Sequence, residues 1–211
     1  MMNLVGILVV FGVILVSMML HELVHGGVAY FLGDTTAKDD GRLTLNPLKH
    51  LDPFMSIILP LMLYMMGAPV FGGAKPVPVD SRNLRGGVWG MAAVAIAGPL
   101  VNFLLALGCF LLMYFTEINS DSILGLVLYE GLFVNLGFMI FNLFPIPPLD
   151  GSRVLYALAP DGVRSLMEKL EGPAGIFLVY ILILFFGGVF YGVMSGAMNG
   201  VLSFFYWIVG A

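Results

Sequence analysis

Residues 1–32, MMNLVGILVVFGVILVSMMLHELVHGGVAYFL, decide how the chain is read. The first twenty carry no charge, and Glu22 is the only charged side chain before Gly33. A helix needs about 20 apolar residues to cross the hydrocarbon core of a bilayer. No Lys or Arg precedes the run and no small-residue cleavage site follows it. It therefore reads as a retained membrane helix over about residues 2–32.

The rest of the chain carries the same message. Of 211 residues, 60% are hydrophobic and 10% charged, with a mean hydropathy of +1.01. A soluble domain averages about 45–50% apolar and about 25% charged residues. A core of this size cannot hide the excess, so a soluble domain is excluded, and high hydrophobicity excludes disorder. Residues 86–116 and 172–211 are uncharged, and 122–144 are interrupted only by Glu130. The expected fold class is an all-α polytopic membrane protein in a lipid bilayer, one integral membrane domain over 1–211. Three core helices fall at about 2–32, 88–116 and 122–144, and one or two further membrane helices within 173–209. There, a full span from about Pro173 gives way to a shorter returning segment after the weak stretch Ser195–Gly200. Nothing in the sequence sets an oligomeric state.

Residues 53–74 are uncharged but punctuated by Pro53, Pro60 and Pro69, and proline removes a backbone donor and kinks a helix. Charge placement arbitrates. If 53–74 spans, the loops holding Lys38–Lys49 and Lys75–Arg85 lie on opposite sides. If it returns, both lie on one side with Arg153–Lys169, which gathers all nine basic residues on one face. The positive-inside rule favours that arrangement. A re-entrant or interfacial segment is therefore expected at about 53–87, with the N-terminus outside and the basic loops in the cytoplasm. With no block of basic residues, nucleic acid is not a partner. Cys109 is the only cysteine, which excludes an internal disulfide and a Cys-based zinc site.

The chemistry sits at helix ends. Leu20-His21-Glu22-Leu23-Val24-His25-Gly26 contains H-E-x-x-H. Histidines at i and i+4 share a helical face and can meet one Zn²⁺, and Glu22 beside the first can act as general base on a water. Ionisable groups inside a membrane helix are costly and point to function. A catalytic zinc takes three protein ligands and keeps one position open. The third is His50, the only other histidine, or a carboxylate. The best carboxylate is Asp150 in Asn142-Leu143-Phe144-Pro145-Ile146-Pro147-Pro148-Leu149-Asp150-Gly151, where the prolines end the third helix and hold an extended segment. Asp150 could instead cap the helix that follows; ligation is favoured. His50 lies in a polar loop and reads as solvated or capping rather than as a ligand. Asn142 is a candidate donor to a developing oxyanion or an interhelical hydrogen bond, and Asn135 reads as structural. Gly98-Pro99-Leu100-Val101-Asn102 reads as close helix packing, with Asn102 either packing or lining the cavity.

HELVHG in the first helix, GPLVN in the second and NLFPIPPLDG after the third resemble the site-2 protease family of intramembrane zinc metalloproteases. The chain is similar to minimal bacterial and archaeal members without PDZ or CBS domains. GRLTLNPLKHLDP and GGAKPVPV fit the same subgroup. The resemblance implies one Zn²⁺ per chain held by His21, His25 and Asp150, Glu22 as catalytic base, and Asn142 near the scissile carbonyl. It implies cleavage of a transmembrane protein or peptide substrate, with the active site toward the cytoplasm of a prokaryotic cell membrane. The family's LDGG stands here as Leu149-Asp150-Gly151-Ser152, a departure that spares the ligands. The alternative is a non-catalytic membrane zinc protein that binds partner helices. The intact Glu22 argues against it, since a structural site needs no base.

Overall fold

The computed structural model describes residues 4–53, 75–118 and 122–211, with Ile58, Met62 and Met65. The expectation for 53–74 therefore lies almost wholly outside the described residues. Among the described residues there are seven α-helices: α1 (Leu4–Phe31), α2 (Thr36–Asp39), α3 (Val88–Thr116), α4 (Ile123–Asn142), α5 (Asp150–Leu158), α6 (Asp161–Lys169) and α7 (Pro173–Ile208). No strand occurs among the described residues. Helices α1, α3, α4 and α7 are long and apolar enough to cross a membrane. The chain is an all-α polytopic membrane protein.

Helix α3 is the centre of the bundle and packs against α1, α4 and α5. Its buried face is built of small residues, Gly90, Ala92, Ala95, Ala97, Gly98 and Ala106. Between membrane helices, where hydrophobicity gives no drive to associate, small residues let backbones approach closely. Phe110 of α3, Leu132, Leu136 and Met139 of α4 and Phe205 of α7 form the largest apolar cluster.

The loops at the end of α1 and the start of α3 are bound to each other. Asp34, fully buried, accepts from the Asp80 amide at 2.7 Å and from Asn83 Nδ2 at 3.2 Å. The Arg85 amide donates to the Leu32 carbonyl, and the Lys75 amide to that of His50. The loops carrying Lys38–Lys49 and Lys75–Arg85 thus share one end of the bundle. Residues 75–80 form neither helix nor strand.

Three expectations are corrected. Helix α7 runs through Ser195–Gly200 without a break; its irregularity is at Phe186 (φ −118°, ψ 22°), just ahead of Gly187-Gly188. A helical glycine costs about 1 kcal/mol, too little to interrupt a stretch whose Met194, Met198, Val201 and Leu202 pack on the core. Beyond the kink, Phe190 lies on Phe141 and Phe144, and Phe205 on Phe103 and Phe110. This part of α7 therefore runs beside α3 in the same direction. The proline-rich residues 143–149 form turns, with the Leu149 amide donating to the Ile146 carbonyl, and not an extended segment. His50 is buried rather than solvated, its Nε2 2.9 Å from the Thr44 carbonyl oxygen. It is enclosed because the loop it ends is folded back against Lys75.

Candidate metal centre

One helical turn sets His21 above His25 on α1, and both rings are buried. Helix α3 can pass directly over them only because residue 98 is glycine: a Cβ there would collide with His25 Nε2 and His21 Cε1. The turn after α4 delivers Asp150 from the other side. Gly151 makes that turn possible, since a Cβ at this position would strike the Leu143 carbonyl. Asp150 opens α5, but Leu149 is the cap residue and no side chain caps the helix. The carboxylate points instead at the histidines, Oδ2 lying 3.1 Å from His21 Nε2 and 3.3 Å from His25 Nε2.

The donor chemistry tests whether a metal fits. His21 Nδ1 is 2.6 Å from Asn102 Oδ1, and His25 Nδ1 is 2.8 Å from the Val94 carbonyl oxygen. Both partners can only accept, so each Nδ1 carries the proton and each Nε2 presents a lone pair. The two Nε2 atoms nevertheless face each other at 3.0 Å. Asp150 Oδ2, buried and without a hydrogen-bond partner, is the third atom at the same point. Two imidazole nitrogens and a carboxylate oxygen converging on one point form a donor set that could hold a metal ion. Tetrahedral zinc, with bonds of about 2.0–2.2 Å, sets its ligand atoms about 3.3–3.6 Å apart. The three separations found, 3.0, 3.1 and 3.3 Å, lie at the short edge of that spacing or just below it. His21, His25 and Asp150 are the metal-compatible cluster among the described residues.

A cavity of about 310 Å³ opens on this cluster, lined by Glu22, Val77, Asn142, Pro148 and Arg153 among others. Glu22 Oε2 accepts from the Val77 amide at 2.7 Å. Asn142 lines the cavity, but its Nδ2 donates to the Phe138 carbonyl of its own helix at 3.0 Å rather than to another helix. His50 is not in the cluster. Sequence reading missed the partners behind the ligands: Asn102, the Val94 carbonyl and the Val77 amide. Only Asn102 left a legible trace, one helical turn beyond Gly98; main-chain partners leave none.

A multi-helix membrane protein with H-E-x-x-H and an Asp converging on one metal position is a metalloprotease by class. The comparisons agree. The chain is 38% identical over 200 residues to "Putative zinc metalloprotease YwhC" of Bacillus subtilis, covering 91% of this chain and 88% of that protein. It is 34% identical over 194 residues to "Putative zinc metalloprotease Rip2" of Mycobacterium tuberculosis, covering 85% and 69%. It is 33% identical over 97 residues to "Zinc metalloprotease MJ0392" of Methanocaldococcus jannaschii, covering 46% and 28%. No family model matches the chain, and no solved structure matches it. The chain belongs to the site-2 protease-like family of zinc metalloproteases.

Proposed function

We propose that the chain is an intramembrane zinc endopeptidase. Its substrates are transmembrane proteins or peptides, cut near the cytoplasmic face of a prokaryotic cell membrane. The observation that carries the reading is Glu22, adjacent to the first ligand and on the wall of the cavity that the three ligand atoms face. A purely structural metal site has no use for a base there. The nine basic residues, all in the short helices and loops that connect the long helices at the metal end, orient that end to the cytoplasm by the positive-inside rule.

A zinc ion held by His21, His25 and Asp150 polarises a peptide carbonyl and acidifies water when bound. Glu22 accepts the proton of the attacking water and returns it to the leaving amine. The Val77 amide, bonded to Oε2, holds that carboxylate in place. Asn142 Nδ2 has a second hydrogen beyond the one given to Phe138, and this one serves the developing oxyanion. A transmembrane helix hides its carbonyls in its own hydrogen bonds and must unwind to be cut. Pro76, Val77 and Val79, in a segment that is neither helix nor strand, border the cavity and offer main-chain groups to the unwound strand.

The test is cleavage of a helical reporter in detergent, followed by mass spectrometry of the fragments. Zinc-loaded wild type is expected to cut within the apolar segment, and Glu22→Gln to bind zinc without cutting. Undiminished cleavage by Glu22→Gln would falsify the mechanism.

A further inference from the structure

We infer that Asn102 and Asn135 are positioning residues for the metal: with Ser17 they form a one-way hydrogen-bond chain that fixes which nitrogen of His21 carries the proton. The inference rests on the metal-centre reading above and extends it to side chains on three helices that touch neither metal nor substrate.

The chain starts at a group that cannot be reversed. The Gly131 carbonyl only accepts, and it receives one N–H of Asn135 at 2.7 Å. Ser17 Oγ receives the other at 2.9 Å. With both amide hydrogens engaged, Asn135 turns its Oδ1 toward Asn102, whose Nδ2 donates to it at 2.7 Å. Asn102 must then show Oδ1 to His21 Nδ1, 2.6 Å away. An oxygen acceptor there places the proton on Nδ1 and leaves the Nε2 lone pair aimed at Asp150. Each link dictates the next.

Reversing any link sets two buried acceptors against each other. Water cannot rescue them, because Asn102 is 0%, and Asn135 and Ser17 each 3%, exposed. A flipped Asn102 would present its NH₂ to His21 Nδ1, move the proton to Nε2 and block the metal. Hydrogen-bonded asparagines commonly join membrane helices, and this set does join α1, α3 and α4. Joining helices, however, needs no particular polarity. The polarity found is the one that bares Nε2. His25 reaches the same tautomer by a shorter route, through the Val94 carbonyl.

The deciding measurement is ¹⁵N NMR of histidine-labelled, metal-free protein in detergent, the rings assigned by single His→Gln variants, together with zinc affinity by chelator competition. In the wild type His21 is expected as the Nδ1–H tautomer; an Nε2–H tautomer overturns the inference without any variant needing to fold. Asn102→Leu is expected to weaken zinc 10–100-fold, the usual loss for partners behind a metal ligand. Asn102→Asp keeps an acceptor for Nδ1–H and is expected to hold zinc as the wild type does, although it loses the donor to Asn135 and melts lower. Asn135→Leu is expected to mix the His21 tautomers. If the variants only melt lower while tautomer and zinc affinity stay unchanged, the asparagines are packing groups and the inference falls. A chain that binds zinc and shows these shifts but leaves the reporter uncut loses the protease reading and keeps this one.

Discussion

The Val77 amide donates to Glu22 Oε2 at 2.7 Å, joining two residues 55 positions apart in the chain. The bond ties the segment 75–80 to the wall of the metal cavity and fixes the carboxylate proposed as base. Glu22 Oε1 has no protein partner among the described residues, so one oxygen is held and the other is available to water. The segment is itself anchored: Arg42 Nη2 donates to the Lys75 carbonyl at 2.8 Å, and the Asp80 amide reaches Asp34.

Removing that one donor tests its contribution. Val77→Pro deletes the N–H in a segment already flanked by Pro76 and Pro78. A hydrogen bond to a charged group is worth about 1.5–3 kcal/mol, so kcat should fall about 10–100-fold. Zinc content, measured by elemental analysis, should stay at one per chain. A parallel loss of zinc would show that Val77 supports the fold of the site rather than the base.

Gly98 makes a sharper prediction. Gly98→Ala places a methyl group where the two imidazoles lie, and neither α1 nor α3 can retreat without losing the small-residue seam between them. Zinc stoichiometry should drop well below one and the melting temperature should fall. Gly108→Ala, on the same helix with open space around it, should bind zinc normally and lose nothing in stability, since alanine is the better helix former.

The convergence of His21, His25 and Asp150 was legible because the residue chemistry that suggests it is local. His21 and His25 are one turn apart on one helix, and charged groups in an apolar run have few structural uses. Asp150 was legible because it is the carboxylate that directly follows the prolines ending the third core helix, although that stretch turns where an extended segment was expected. What stayed hidden depends on tertiary placement. The Val77 amide and Val94 carbonyl are main-chain groups that any residue supplies. His50 sits in a sequence rich in polar residues yet is buried, because folding the loop against Lys75 encloses it. The return expected after Ser195–Gly200 does not occur, because Met194, Met198, Val201 and Leu202 pack that stretch onto the core as continuous helix.

Asp150 should separate metal binding from folding. Asp150→Ala removes one of three ligands and leaves two lone pairs facing each other at 3.0 Å. Zinc should be lost under conditions where wild type retains it, while the helical circular dichroism of the four long helices persists. Chelation of the wild type should abolish cleavage with the helices likewise retained, and added zinc should restore it. Helix loss on chelation would instead identify a metal that holds the fold together.

Asp34 predicts how acid acts on the loops that carry the cavity wall. Burial pushes its carboxyl up, but the Thr36 hydroxyl, the amides of Asp80 and Thr36, and the Asn83 side chain outweigh that, so its pKa lies below the ordinary carboxylate value. A carboxyl with a depressed folded pKa stabilises the fold above its unfolded value near 3.9, and the contribution disappears as pH falls through the folded pKa. Wild-type melting temperature should therefore hold steady from neutral pH to about 4 and decline below it. Asp34→Asn puts an NH₂ among donors that need an acceptor. It should cost about 2 kcal/mol at neutral pH, roughly 4–8 °C in melting temperature for a chain of this length, and flatten the acid decline. Because Asp34 holds Asp80, and through it the segment that reaches Glu22, the variant should also lose turnover. Melting curves from pH 3 to 8 on both proteins decide it: a variant whose acid decline parallels the wild type would assign the acid sensitivity to another carboxyl.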